Sequence, residues 1–262
     1  STKEIETIST INGLSGGLIS TIYYSESNNL LVIGYESGLI EIVIDDEENV
    51  LAVVDILDKP TIPPDRKRIN HFNENDGSLY ISTQYGISVY DLEALEFGDT
   101  YFIGDLGAQI NITQTTIQDP YIFATTLQNG IRRAMVEDDN LIDFQNWTTI
   151  TTGGFKGGQT LLEGLYVLNN LNSVFSMTSD GVLTNVGNYS TNVVDFISKN
   201  GLLTITTTNT TQAYSDGFVL ESSVASMPNL TYELQSGLAF NNSFYLGTTE
   251  IGMFEVPFGA AM

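Results

Sequence analysis

Cysteine is absent from the 262 residues, which excludes disulfides and thiol catalysis and is compatible with the cytoplasm, a bacterial periplasm or a cell surface. Histidine occurs once, at His71. Basic residues number nine against 32 acidic ones, for a formal net charge of −23. A field of that sign repels nucleic acid and anionic membrane surfaces, so no DNA or RNA partner is expected; solubility is its plainest use. No apolar run reaches transmembrane length, and the opening STKEIETIST has no apolar secretory core. That opening reads like the middle of a domain, as expected of a mature or truncated chain that has lost an export signal. No stretch carries a 3.6-residue apolar period, and Gly, Thr and Asn punctuate every run, so no helix is expected.

What the chain does have is a recurring hairpin. LLVIGYESGLIEIVI at 30–44 returns as LYISTQYGISVYDL at 79–92 and as FYLGTTEIGMFEV at 244–256. The short turns align at Gly38, Gly86, Gly130, Ser173, Thr211 and Gly252, at intervals of 48, 44, 43, 38 and 41 residues. Several short strands per unit at that period predict an all-β fold, a β-propeller of four-stranded blades. The first unit parses as strands at 19–25, 30–35, 39–44 and, after the acidic turn DDEEN (45–49), 50–56. Gly at the second turn admits the angles of a tight hairpin, and Ser173 and Thr211 predict a different turn in two blades.

Six units are visible in what reads as a single domain over 1–262. The third takes its outer strand near LIDFQNW (141–147), and the sixth lacks one, while EIETISTI (4–11) is a spare strand at the other end. Two explanations compete. The spare strand closes the last blade of a six-bladed ring, or it belongs to a seventh blade that lies upstream in a longer protein.

Candidate chemistry is thin. The sequence holds no GxSxG elbow, no HExxH pair and no GxxxxGK[ST] loop. FKGGQT (155–160) has a lone lysine in a Gly-rich stretch and reads as a loop between blades. His71 lies on a first strand, where a structural role outweighs a catalytic one. DDEEN and the Glu137–Asp138–Asp139 cluster lack the ligand order of a calcium loop and read as solvated turns; no metal and no cofactor are expected. Carboxylates lie near one another by number alone, so they do not mark a glycosidase, and Asn-X-Ser/Thr at Asn111, Asn146 and Asn188 is expected by chance in such a composition. The scarce cations say more. Arg66, Lys67 and Arg68 follow the proline-rich KPTIPPD (59–65), and Arg132 and Arg133 sit together on a third strand. They are candidate contacts for an anionic saccharide; the plainer reading has them pairing with local acids and holding blades together.

The stretch 11–44 resembles the opening of propellers in two-component regulator sensors of Bacteroidetes. KRINHF (67–72), YISTQYGISVYDL (80–92), FGDTYFIGDLGAQINI (97–112) and NLIDFQNWTTI (140–150) resemble more narrowly the PorZ-type N-terminal propeller of the type IX secretion attachment complex. The resemblance spans residues 5–150, and the remainder shares mainly the blade period. It implies an exported, non-enzymatic scaffold at the outer membrane or cell surface, with a PorU-like sortase and anionic lipopolysaccharide as partners. It also implies a longer protein, with a seven-bladed first propeller, a second propeller and a β-sandwich. The alternative is a periplasmic ligand-sensing propeller of a hybrid two-component regulator.

Overall fold

A computed structural model describes residues 8–44, 50–225 and 233–260. The described residues form six antiparallel meanders, the blades of a β-propeller, joined by loops and short 3-10 turns. The first blade holds strands Ile19–Ser25, Leu30–Tyr35, Ile40–Ile44 and Val50–Val53. The second holds Ile69–Asn75, Ser78–Thr83, Ile87–Asp91 and Glu96–Tyr101. The third holds Ile112–Gln118, Tyr121–Thr126, Ile131–Met135 and Thr148–Thr151, and the fourth Phe155–Leu161, Gly164–Asn169, Ser173–Met177 and Leu183–Asn188. The fifth holds Val193–Lys199, Leu202–Thr207, Thr210–Ser215 and Val219–Ala225; the sixth has three described strands, Leu234–Phe240, Ser243–Thr248 and Met253–Pro257. The chain divides into two compact units, residues 1–115 with 139–147, and residues 116–138 with 148–262.

Second strands are buried on both faces, which explains why they read as near-continuous apolar or threonine-rich runs instead of alternating. In the first unit, Leu30, Val32, Ile40 and Ile42 of the first blade pack against Ile69, Phe72, Leu79 and Ile81 of the second. Full burial of side chains this size is worth about 1.5–3 kcal/mol each. In the second unit, Leu161, Leu168 and Val174 of the fourth blade meet Phe196, Leu203 and Ile205 of the fifth.

Turn chemistry sets the register. The turns between first and second strands carry two consecutive residues in the left-handed region at Asp76–Gly77, Asn200–Gly201 and Asn241–Asn242. That is the type I′ geometry whose twist matches paired strands. At the next turn, Gly38, Gly130 and Gly252 take positive φ as expected. Gly86 does not; it is required because a Cβ there would collide with the carbonyl oxygen of Tyr101. The hydroxyls of Thr83, Thr126 and Thr248 donate to the carbonyls of Gly86, Gly130 and Gly252 at 2.8, 2.7 and 2.9 Å. Where the glycine is missing, side chains hold the turn. Asn169 Oδ1 accepts from the amides of Leu171 and Ser173, and Thr207 Oγ1 from those of Asn209 and Thr210.

Three expectations change. LIDFQNW is not the outer strand of the third blade: Asp143 caps a 3-10 turn at Phe144–Asn146, Trp147 buries its ring, and the strand follows at Thr148–Thr151. FKGGQT is not a loop but most of the fourth blade's first strand. At the other end, residues 4–7 of EIETISTI and all of DDEEN lie outside the described residues, and Thr10–Asn12 form a 3-10 turn capped by Ser9.

Candidate functional site

The first strands are where the repeat places its polar side chains. In the first, second, fourth, fifth and sixth blades the register with the second strand slips after the first residue, at Ile19/Thr21, Ile69/His71, Phe155/Gly157, Val193/Asp195 and Leu234/Ser236. The second residue of each strand is thus a bulge, which re-aims its side chain. Asn70 uses it to donate to Asn111 Oδ1 at 2.9 Å and to the carbonyl of Ile112 at 2.6 Å, reaching the start of the next blade. Lys156 does the same in the other unit, donating to Asn172 Oδ1 and Asn192 Oδ1, both at 2.6 Å. Burial holds its ammonium below the usual lysine range. The lone lysine of FKGGQT is therefore a strap between the fourth and fifth blades.

The third residue follows the bulge. His71 is one such residue, and burial lowers its pKa to about 4, so the imidazole is neutral near pH 7. Asp195 is its counterpart in the fifth blade. Its carboxylate accepts from the amides of Phe196 at 2.9 Å and Gly237 at 3.1 Å, and burial outweighs those two bonds to raise its pKa to about 6.

The two cationic clusters fall in different units. Arg66 is exposed at the end of a 3-10 turn, Pro64–Arg66. Lys67 turns inward: it is 7% exposed and donates to the carbonyl of Leu57, so its charge anchors the connector and is not presented to a ligand. Arg68 is half-exposed and paired with Glu36 of the first blade. Arg132 is buried on the third strand of the third blade, which likewise withdraws its charge from solvent. Arg133 donates to the carbonyl of Ser179 at 2.6 Å and lies 4.2 Å from the centre of the Tyr121 ring, a cation–π contact. Within each cluster, then, cations tie the third blade to the fourth and the first blade to the second, and Arg66 and Arg68 retain the most solvent exposure.

The described residues contain no group of three or more His, Asp or Glu arranged to hold a metal ion, and no helix long and apolar enough to cross a membrane. The straps at Asn70 and Lys156 were not anticipated. Their only sequence signal is a polar residue second in those two first strands, which needs the strand boundary before it can be seen.

Comparison with known structures supports the fold over almost the whole chain. PorZ of Porphyromonas gingivalis, described as an essential bacterial surface component of the type IX secretion system, superposes with a TM-score of 0.76. The two are 20% identical, and the match covers 97% of this chain and 34% of that one. The extracellular domain of BT3049, assigned to a hybrid two-component system of B. thetaiotaomicron, matches at a TM-score of 0.68 and 12% identity, over 96% of this chain and 35% of that one. The Pan2 WD40 domain of Neurospora crassa matches at 0.61 and 11% identity, over 88% and 75% of the two chains. This chain spans about a third of the length of the first two. No curated protein matches it. The family model described as the N-terminal β-propeller domain of the type IX secretion protein PorZ matches residues 1–148, more than half of the sequence, and the chain belongs to that family.

Proposed function

We propose that this chain is a non-catalytic propeller module at the bacterial cell surface, where it supports type IX secretion. It contributes contacts to secretion-complex proteins such as a PorU-like sortase and to anionic lipopolysaccharide. The family match over residues 1–148 carries this reading. The expected glycolipid contact is the Arg66–Arg68 connector, because its two guanidiniums retain solvent exposure while Lys67 pins the backbone between them. Guanidinium forks suit phosphate and carboxylate groups. In the other cluster, Arg133 contributes by fixing the third blade to the fourth.

The test uses the full chain as bait in detergent-solubilised outer membranes of the source organism, with captured proteins and glycolipid identified by mass spectrometry. Recovery of a sortase of the PorU type or of anionic lipopolysaccharide supports the proposal. The paired variant Arg66→Glu/Arg68→Glu should then lose the glycolipid and keep the proteins. Recovery of neither class overturns it.

A second reading, a ligand-sensing propeller of a hybrid two-component regulator, is favoured by the match to BT3049 over 96% of this chain. The complete gene separates the two: a downstream transmembrane segment and kinase region supports the sensor, and a β-sandwich supports the secretion scaffold.

A further inference from the structure

Two short loops of the first unit carry apolar side chains into solvent. One, residues 104–108, follows the outer strand of the second blade. The other, residues 139–147, groups with the first unit although the strands on either side of it belong to the second. Leu106 in the first loop is 90% exposed, and Ile142 in the second is 52% exposed. The 3-10 turns Asp105–Gly107 and Phe144–Asn146 lie against each other. A ring atom of Phe144 stands 3.7 Å from where a Cβ of Gly107 would be. Single exposed leucines are ordinary on a protein surface, but here two loops that meet each present an apolar side chain.

Both loops are held in place. The first closes on itself: the amide of Gly104 donates to the carbonyl of Ala108 at 3.1 Å, and that of Gly107 to the carbonyl of Gly104 at 2.9 Å. In the second, Asp143 caps the turn, and the amides of Asp143 and Asn146 donate to the carbonyls of Asn140 and Asp143 at 3.1 and 3.0 Å. Trp147 anchors this loop. Its buried indole donates to the carbonyl of Leu141 at 3.0 Å, and its ring lies beside that of Tyr101, with centroids 6.5 Å apart. A fixed backbone presents its side chains to a partner at little further cost in ordering.

Leu106 does little for the fold. At φ 57° and ψ 28° it occupies the left-handed region, where leucine is strained and glycine is not. Its side chain buries too little surface to offset that cost. The surroundings are of one sign. Asp105, Glu137, Asp138, Asp139 and Asp143 lie in or beside the two loops, and neither 104–110 nor 136–147 contains a lysine or arginine. An acidic rim repels a second copy of this chain and an anionic membrane, and it complements a surface that carries cations.

We infer that Leu106 and Ile142 form a docking knob for another protein, whose surface offers an apolar socket flanked by lysine or arginine. This inference does not rest on the secretion role, since it fixes the chemistry of the partner's surface and not the partner's identity.

The experiment replaces Leu106, Ile142 or, as a control, Leu162 by a photo-activated benzophenone amino acid in the full-length protein of the source organism. Leu162 is 67% exposed at φ 52°, but it lies on a hairpin turn of the second unit. Mass spectrometry then maps the cross-linked peptides. The probes at 106 and 142 should mark one site on one other protein, at apolar residues with lysine or arginine beside them, and the probe at 162 should not. Between the purified proteins, Leu106→Asp and Leu106→Gly should each weaken binding about tenfold or more, and added salt should weaken it too. Leu106→Gly relieves the strain, which offsets the freedom that glycine adds to the unfolded chain. Its thermal melt should therefore stay close to that of the unaltered protein, separating lost docking from lost folding. The inference is overturned if 106 and 142 capture no protein that 162 misses, or if they mark lipid or a second copy of the chain. A captured site without a cation, or a Leu106→Gly variant that binds as tightly as the unaltered protein, overturns it as well.

Discussion

His71 and Asp195 occupy one position in two different blades. Each is the third residue of a seven-residue first strand, directly after the bulge, and each belongs to a different compact unit. The second strand opposite them is equally alike: Phe72 pairs with the fully buried Ile81, and Phe196 with the fully buried Ile205. Burial disfavours the charged form at both sites, yet the consequences are opposite because one group is a base and the other an acid. The repeat supplies a position and a degree of dryness; the residue placed there decides the pH response.

Removing the shared support should have the largest effect. Ile81→Ala and Ile205→Ala should each cost about 2–5 kcal/mol in chemical denaturation, because each empties a filled core beside the paired phenylalanine. Similar losses confirm that the two positions are built alike, and a loss at only one breaks the comparison. Next comes the strap beside the bulge. Lys156→Ala removes charged hydrogen bonds to Asn172 and Asn192 and should cost about 1–3 kcal/mol.

The pH response sharpens the comparison further. His71 has a folded pKa near 4 against 6.5 when unfolded, so the stability it confers is complete above pH 6.5 and is lost as the pH falls toward 4. Asp195 has a folded pKa near 6 against 3.8, so its contribution is complete below pH 3.8 and is lost as the pH rises through 6. Thermal melts between pH 4 and 6.5 should therefore show that His71→Gln removes a rise in stability with pH. Asp195→Asn should remove a fall. Two variants that change the slope in the same direction contradict the assignment. The smallest effect belongs to the surface: Arg68→Ala, which breaks an exposed pair with Glu36, should change stability by less than about 1 kcal/mol.

Strand positions in the first blade were legible to within a few residues, because apolar runs bounded by turn residues have no other use in so short a span. LIDFQNW misled because an apolar residue every second or third position looks the same in a capped 3-10 turn over a buried tryptophan as in a strand. FKGGQT misled because two adjacent glycines suggest a loop. In the fold, Gly158 lies in a strand at a close approach to the third blade, where a Cβ would stand 2.9 Å from a methyl of Thr125. The cationic residues were found by scarcity, but whether a cation faces solvent or a carbonyl depends on contacts ten or more residues away, as Lys67 with Leu57 and Arg133 with Ser179 show.

The central claim, that this propeller supports type IX secretion, is tested most directly by deleting residues 1–262 in frame from the source organism's gene and following a type IX cargo protein. The account predicts that the cargo accumulates unprocessed inside the outer membrane and that the intact gene restores its appearance at the surface. Cargo that reaches the surface, processed and attached, without this chain would contradict the account.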